Sequence, residues 1–165
     1  MALTMTDVLR LAACAPKKGG WNALDDRLIS YLYYFNIEQD YFECHEYAEH
    51  LWFALQRPVV LKGLIQAAVC LYHLNNGNVR GGYSMWQRAK RYMEAACPVY
   101  QGIDLAKLIR DIDETYSLVP QAWYTKRVSP REIAQLRLPT VKIQIVDEEI
   151  LALLPNWKPT PLEKD

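Results

Sequence analysis

The segment 59–75 constrains the fold more than any other part of the chain. Between Pro58 and the Asn76-Gly77 pair it carries one full charge, Lys62, and is apolar almost all the way round. A helix of that kind has no face to offer water, so it must sit at the centre of a bundle with neighbours on several sides. Gly63, Ala67 and Ala68 are small enough to let those neighbours approach closely. The segment falls short of the roughly 18 apolar residues that would suggest a bilayer span. Gly77 then stands where a left-handed C-cap belongs and Asn78 where an N-cap belongs, so the next helix turns back antiparallel.

Helical spacing elsewhere supplies the neighbours. Leu24, Leu28, Tyr31, Leu32 and Phe35 recur along one side of a helix expected over 21–36, with Asn22 as its N-cap; a shorter helix is expected over 6–15. Asp40 with Glu43 opens a helix over 41–56, which must end before Pro58. The helix over 79–96 packs through Val79, Gly82, Tyr83, Trp86, Ala89 and Met93. Gly81 and Gly82 in its first turn weaken it by about 1 kcal/mol each relative to Ala, which implies that another backbone or a ligand comes close. A further helix is expected over 104–118. Beyond Pro120 the pattern becomes irregular: Ser129, Pro130 and Glu132 open a short helix, 141–145 alternates like a half-buried strand, and 147–154 reads as one more short helix. The strand needs a backbone partner, either a copy in a second subunit or the bundle itself.

Charge narrows the partners. Lys plus Arg and Asp plus Glu both number 19, so no overall field draws a polyanion to the surface, and nucleic acid is not implied. The local cluster Arg80, Arg88, Lys90 and Arg91 reads as a solvated helix face rather than a phosphate site. Cys14, Cys44, Cys70 and Cys97 lack the spacing of a zinc or redox motif and are expected to be reduced thiols. The start of the chain has no basic region ahead of its short apolar run, so it does not read as a secretory signal; a cytoplasmic protein with no membrane contact is expected.

The chemistry-bearing residues lie on two of these helices. At 100° per residue, His45, Glu49 and Trp52 share a narrow arc of the 41–56 helix, with Glu46 at its edge, and Lys62, Gln66 and His73 share an arc of the central helix. If the two arcs face each other, His45 and Glu49 meet Gln66 and His73 in one polar centre. Three readings follow. A satisfied polar network would fix helix register. A small polar or anionic ligand would be held in a cleft by Lys62, Gln66, His45 and His73, with Asn78 and Arg80 at the open helix start. A metal-assisted or acid-base hydrolase would use His45 and Glu49 as metal ligands, Glu46 as base, and His73 as third ligand or proton carrier.

The last reading fits known motifs poorly. A zinc-protease helix needs His where Glu49 stands, and a di-iron bundle needs a carboxylate on the central helix, which has none. Cys44 and His45 point about 100° apart, so they do not form a nucleophile pair. No residue pattern names a cofactor.

Three motifs, Phe42-x-x-His45-Glu46-x-x-Glu49-x-x-Trp52, Gly63-Leu64-Ile65-Gln66-x-Ala68-x-x-x-Tyr72-His73 and Gly77-Asn78-x-x-Gly81, closely resemble the all-helical family known as domain of unknown function 309. The likeness covers 34–93, and the Gly81-Gly82 pair departs mildly from the family's glycine-alanine pair. The resemblance implies a compact helical bundle and carries no activity, substrate or cofactor.

The expectation is therefore an all-α fold: a compact bundle of about five main helices over 1–119, and an irregular arm over 120–165 lying on the bundle or on a second subunit. Its function is expected to rest on the polar centre, as a structural lock or small-ligand site, with the hydrolase as alternative and a homo-oligomer built through the arm.

Overall fold

The computed structural model describes residues 25–163. Helix α1 (Asp26–Tyr33) starts at Asp25, whose carboxylate accepts from the Arg27 backbone N–H at 2.9 Å and also pairs with the Arg27 guanidinium. Burial works against the charge on Asp25, but the Arg27 hydrogen bonds and charge outweigh it and hold the carboxyl below its usual range. The cap is thus Asp25 rather than Asn22, which lies outside the described residues together with the short helix expected over 6–15. After Tyr33 the chain widens into a π-helical turn, Tyr34–Glu38, closed by Gln39 in the left-handed region. This widened turn presents Asn36 to the arm.

Helix α2 (Tyr41–Ala54) is capped by Asp40, whose carboxylate accepts from the Glu43 N–H at 3.0 Å. Helices α3 (Val59–Asn75) and α4 (Val79–Glu94) follow, joined by Gly77 at φ 86° and capped by Asn78. The central position expected for 59–75 is observed: α3 packs most extensively against α4 and then α2, and buries Leu61, Leu64, Ala67, Ala68, Cys70, Leu71 and Leu74.

The α3–α4 crossing is close because each helix contributes a glycine. A Cβ on Gly63 would lie 3.0 Å from the Ala89 carbonyl oxygen of α4, and one on Gly82 would lie 2.8 Å from the Cys70 carbonyl oxygen of α3. The approaching backbone expected at Gly82 is therefore that of α3. Tyr116 completes the seam by donating its hydroxyl to the same Cys70 carbonyl at 3.0 Å.

A short hairpin, β1 (Val99–Tyr100) and β2 (Ile103–Asp104), turns at Gln101 and Gly102, both in the left-handed region. It leads into α5 (Leu105–Ser117), capped by Asp104. Trp86 of α4 is fully buried against α5 with its indole N–H on Asp113 at 2.8 Å, and Lys90 pairs with the other oxygen of the same carboxylate at 2.6 Å.

A 3₁₀ turn (Gln121–Tyr124) leads to α6 (Pro130–Gln135), where Ser129 and Glu132 form the expected capping box. Helix α7 (Glu148–Leu153), capped by Asp147, and a last 3₁₀ turn (Leu154–Asn156) end the regular structure.

The extended stretch before α7 finds its backbone partners within this chain. Asn36 uses its side-chain amide as a strand would, donating to the Ile143 carbonyl and accepting from the Ile143 N–H, both at 2.8 Å. Asp104 donates to the Gln144 carbonyl at 2.9 Å, Val146 donates to the Gly102 carbonyl at 2.8 Å, and Ile145 bridges Ile103. Val141, Ile143 and Ile145 point into the core, while Lys142 and Gln144 face solvent. The reason for seeking a second subunit through this strand is thereby removed. The fold is mostly all-α, with the hairpin as its small sheet.

Among the described residues no helix is long and apolar enough to cross a membrane. Cys44, Cys70 and Cys97 are free thiols. Burial pushes the Cys44 and Cys70 thiols well up, so both behave as small core residues.

Candidate functional site

Helix α2 turns Tyr41, Cys44, Tyr47, Ala48 and Leu51 into the core. By the 100° wheel His45 lies at the rim of that arc and Glu46 beyond it, and they meet each other rather than α3. His45 Nδ1 faces the carbonyl oxygen of Phe42, and its Nε2 lies 3.5 Å from Glu46 and 3.9 Å from Glu49. The ring packs edge-on against Phe42 at 4.9 Å between centroids. Both nitrogens thus face oxygens of the same helix, and neither is directed at an open position as a general base would be.

The second polar line points elsewhere. The Lys62 ammonium lies 5.1 Å from the centre of the Tyr92 ring of α4, and the His73 Cβ sits 3.3 Å from where a Gly82 Cβ would be. The Asn78 side chain is spent on capping α4, accepting from the Gly81 N–H at 3.1 Å, and Arg80 is exposed. No hydrogen bond or ion pair joins His45 or Glu49 to Gln66 or His73 among the described residues. Aromatic rings stand between the two lines, Phe42 against Tyr72 and Tyr72 against His73, each pair at 5.9 Å between centroids.

The single polar centre expected from the sequence is therefore two separate lines, because α3 directs Lys62 and His73 toward α4 while α2 keeps His45 for its own carboxylates. Two buried polar atoms along this helix pair, Trp52 Nε1 and Gln66 Oε1, have no hydrogen-bond partner. Among the described residues no group of three or more His, Cys, Asp or Glu side chains is placed to hold a metal ion.

The cleft lies on the opposite side of α2. Phe42, Glu46, Glu49 and Phe53 fall within one arc of about 60° by the same wheel, facing away from the core. Phe42 is 51% exposed and Phe53 54%, so both rings stand half in solvent. Facing them is the C-terminal tail, tied down by the Trp157 indole on Ser30 at 3.0 Å and the Tyr47 hydroxyl on the Thr160 carbonyl at 2.8 Å. Between α2 and Pro161, Leu162 and Glu163 lies a cleft of about 610 Å³, whose rim also carries Glu43 and His50. His50 meets Arg27 at 3.3 Å through Nδ1. The volume falls in the range of ordinary ligand clefts.

Of the residues singled out in the sequence, Glu46 and Glu49 line this cleft; Glu43, His50, Phe53 and the tail were missed as site residues. The signal was present in the wheel. Helix α2 carries apolar residues on two opposite sides, which leaves it with little net amphipathicity and hides the second stripe from a search for one buried face.

Two comparisons bear on identity. The chain is similar to the uncharacterized protein YpuF of Bacillus subtilis (strain 168), 31% identical over 96 residues, and spans about half the length of that curated relative, with 55% of each chain covered. No solved structure matches. A family model described as Domain of unknown function (DUF309) matches residues 28–85, which run from α1 into α4 and include His45, the outer face of α2 and His73. Over that span the chain is similar to the DUF309 family.

Proposed function

We propose that this chain acts by binding rather than by catalysis, and that its recognition surface is the outer face of α2 with the C-terminal tail. The observation that carries the reading is the 610 Å³ cleft, in which two half-exposed phenylalanines stand among Glu43, Glu46, Glu49 and Glu163. Apolar walls supply affinity and the carboxylates set the sign of the charge, so the ligand carries positive charge beside apolar groups. The chain's own Arg57 supports this, since its guanidinium rests 5.4 Å from the centre of the Phe53 ring.

His45 is the lock in this scheme. It sits behind the cleft, bonded to the Phe42 carbonyl and facing Glu46 and Glu49, and so holds the inner edge of the cleft wall. The cleft's charge favours a cation over the anionic ligand suggested by Lys62, Gln66, His73, Asn78 and Arg80. Among the described residues no group of three or more His, Cys, Asp or Glu side chains supports the metal-assisted hydrolase.

Calorimetric titration of the full chain with spermidine and with citrate tests the reading. Spermidine is expected to bind, and the Glu46→Gln/Glu49→Gln variant to lose that binding with its melting temperature nearly unchanged. Binding of citrate, abolished by Lys62→Ala, would instead support the anion site, and hydrolysis of an ester or phosphoester panel lost in His45→Ala would support the enzyme.

A further inference from the structure

The spacing of the exposed stripe identifies the kind of ligand more closely. Phe42, Glu46, Glu49 and Phe53 follow each other at intervals of four, three and four residues. That is the spacing with which one helix meets another along a seam. From Phe42 to Phe53 the stripe runs about 16 Å at 1.5 Å per residue, roughly three turns. The tail at Pro161 and Leu162 walls one side and makes the seam a groove.

We infer that this groove receives an amphipathic basic helix from a protein partner, with apolar side chains meeting Phe42 and Phe53 and Lys or Arg meeting Glu46 and Glu49. The inference rests on the cleft being a cation-binding surface and adds the form of its occupant. Charge complementarity selects among occupants. A second copy docked by the same stripe brings Glu46 and Glu49 against themselves in a parallel pairing and against each other in an antiparallel one, so like charges oppose self-association. Nucleic acid and anionic lipid are repelled by the same carboxylates. A basic helix satisfies both ends and the middle at once, and the four-three-four spacing reads the same in either chain direction.

Fluorescence anisotropy with a labelled synthetic helix tests this on the full chain. The probe carries Leu, Lys, Lys and Leu at the stripe's spacing; its control has Glu in place of both Lys, and spermidine serves as a small cation. The Lys helix is expected to bind at least about tenfold more tightly than the Glu helix, and Glu46→Gln/Glu49→Gln to weaken it by about tenfold, a difference of about 1.4 kcal/mol. Phe42→Ser/Phe53→Ser is expected to abolish binding while the melting temperature holds.

Equal binding of the Lys and Glu helices, or a Lys helix unaffected by both variants, overturns the inference. Binding of spermidine with no gain for the helix also overturns it but leaves the cation-binding surface standing, whereas failure of every cationic probe overturns both. Competition of the Lys helix by a peptide of residues 1–24 as strongly as by unlabelled Lys helix would assign the groove to the chain's own start and overturn the partner.

Discussion

The α3–α4 seam and the outer face of α2 both place aromatic and polar groups side by side and resolve them in opposite ways. At the seam, glycines let two backbones close on each other and the buried hydroxyl of Tyr116 finds its acceptor in the Cys70 carbonyl, while on the α5 side of α4 the buried indole N–H of Trp86 finds Asp113. On the outer face of α2, two large rings stand half in water among carboxylates, of which Glu46 and Glu49 face the His45 behind them. The contrast separates two uses of a helix face. Complementarity completed within the chain holds the fold, and complementarity left open at the surface is available to a partner.

Substitutions on the two faces should therefore divide by what they damage. Trp86→Ala empties the largest fully buried side chain among the described residues and takes the indole N–H away from Asp113, leaving it the Lys90 pair; it is expected to cost about 3–5 kcal/mol, read by urea unfolding. Gly82→Ala forces a methyl to 2.5 Å from the Tyr116 hydroxyl and is expected to cost about 1–3 kcal/mol by the same measurement, with α3 and α4 pushed apart.

Asn36→Ala removes both hydrogen bonds to Ile143 at once. A loss of about 2 kcal/mol is expected, together with faster proteolysis within the arm near residues 139–146. Phe42→Ser and Phe53→Ser stand at the other extreme, with a stability cost of about 1 kcal/mol or less because both rings are already half in water. A cost at these two positions as large as that of Gly82→Ala would erase the distinction between the faces.

Much of the seam was legible in the sequence. The apolar run from Val59, the small residues at 63, 67 and 68, and the Gly77-Asn78 turn dictate a central helix with an antiparallel neighbour, and the structure has both. The capping signals at Asp40, Asn78 and Ser129 also hold, because a cap is a local bond between a side chain and a nearby N–H.

What the sequence did not disclose depends on tertiary direction. The wheel groups Lys62, Gln66 and His73 correctly on one side of α3 but cannot say that this side turns toward Tyr92 and Gly82 rather than His45. The 99–104 hairpin is too short to show alternation, and the pairing of Ile143 with a side-chain amide more than a hundred residues away leaves no pattern in the chain. The cleft needed the path of the tail, set by Trp157 and Tyr47, before its second wall existed.

Mapping amide NMR shifts of the full chain while adding the Lys-bearing helix tests the central claim most directly. Shifts concentrated on residues 42–53 and 161–163, with those of α3 and α4 unmoved, are the predicted result. Shifts centred on Lys62, His73 and Arg80, or none anywhere at saturating peptide, would contradict it.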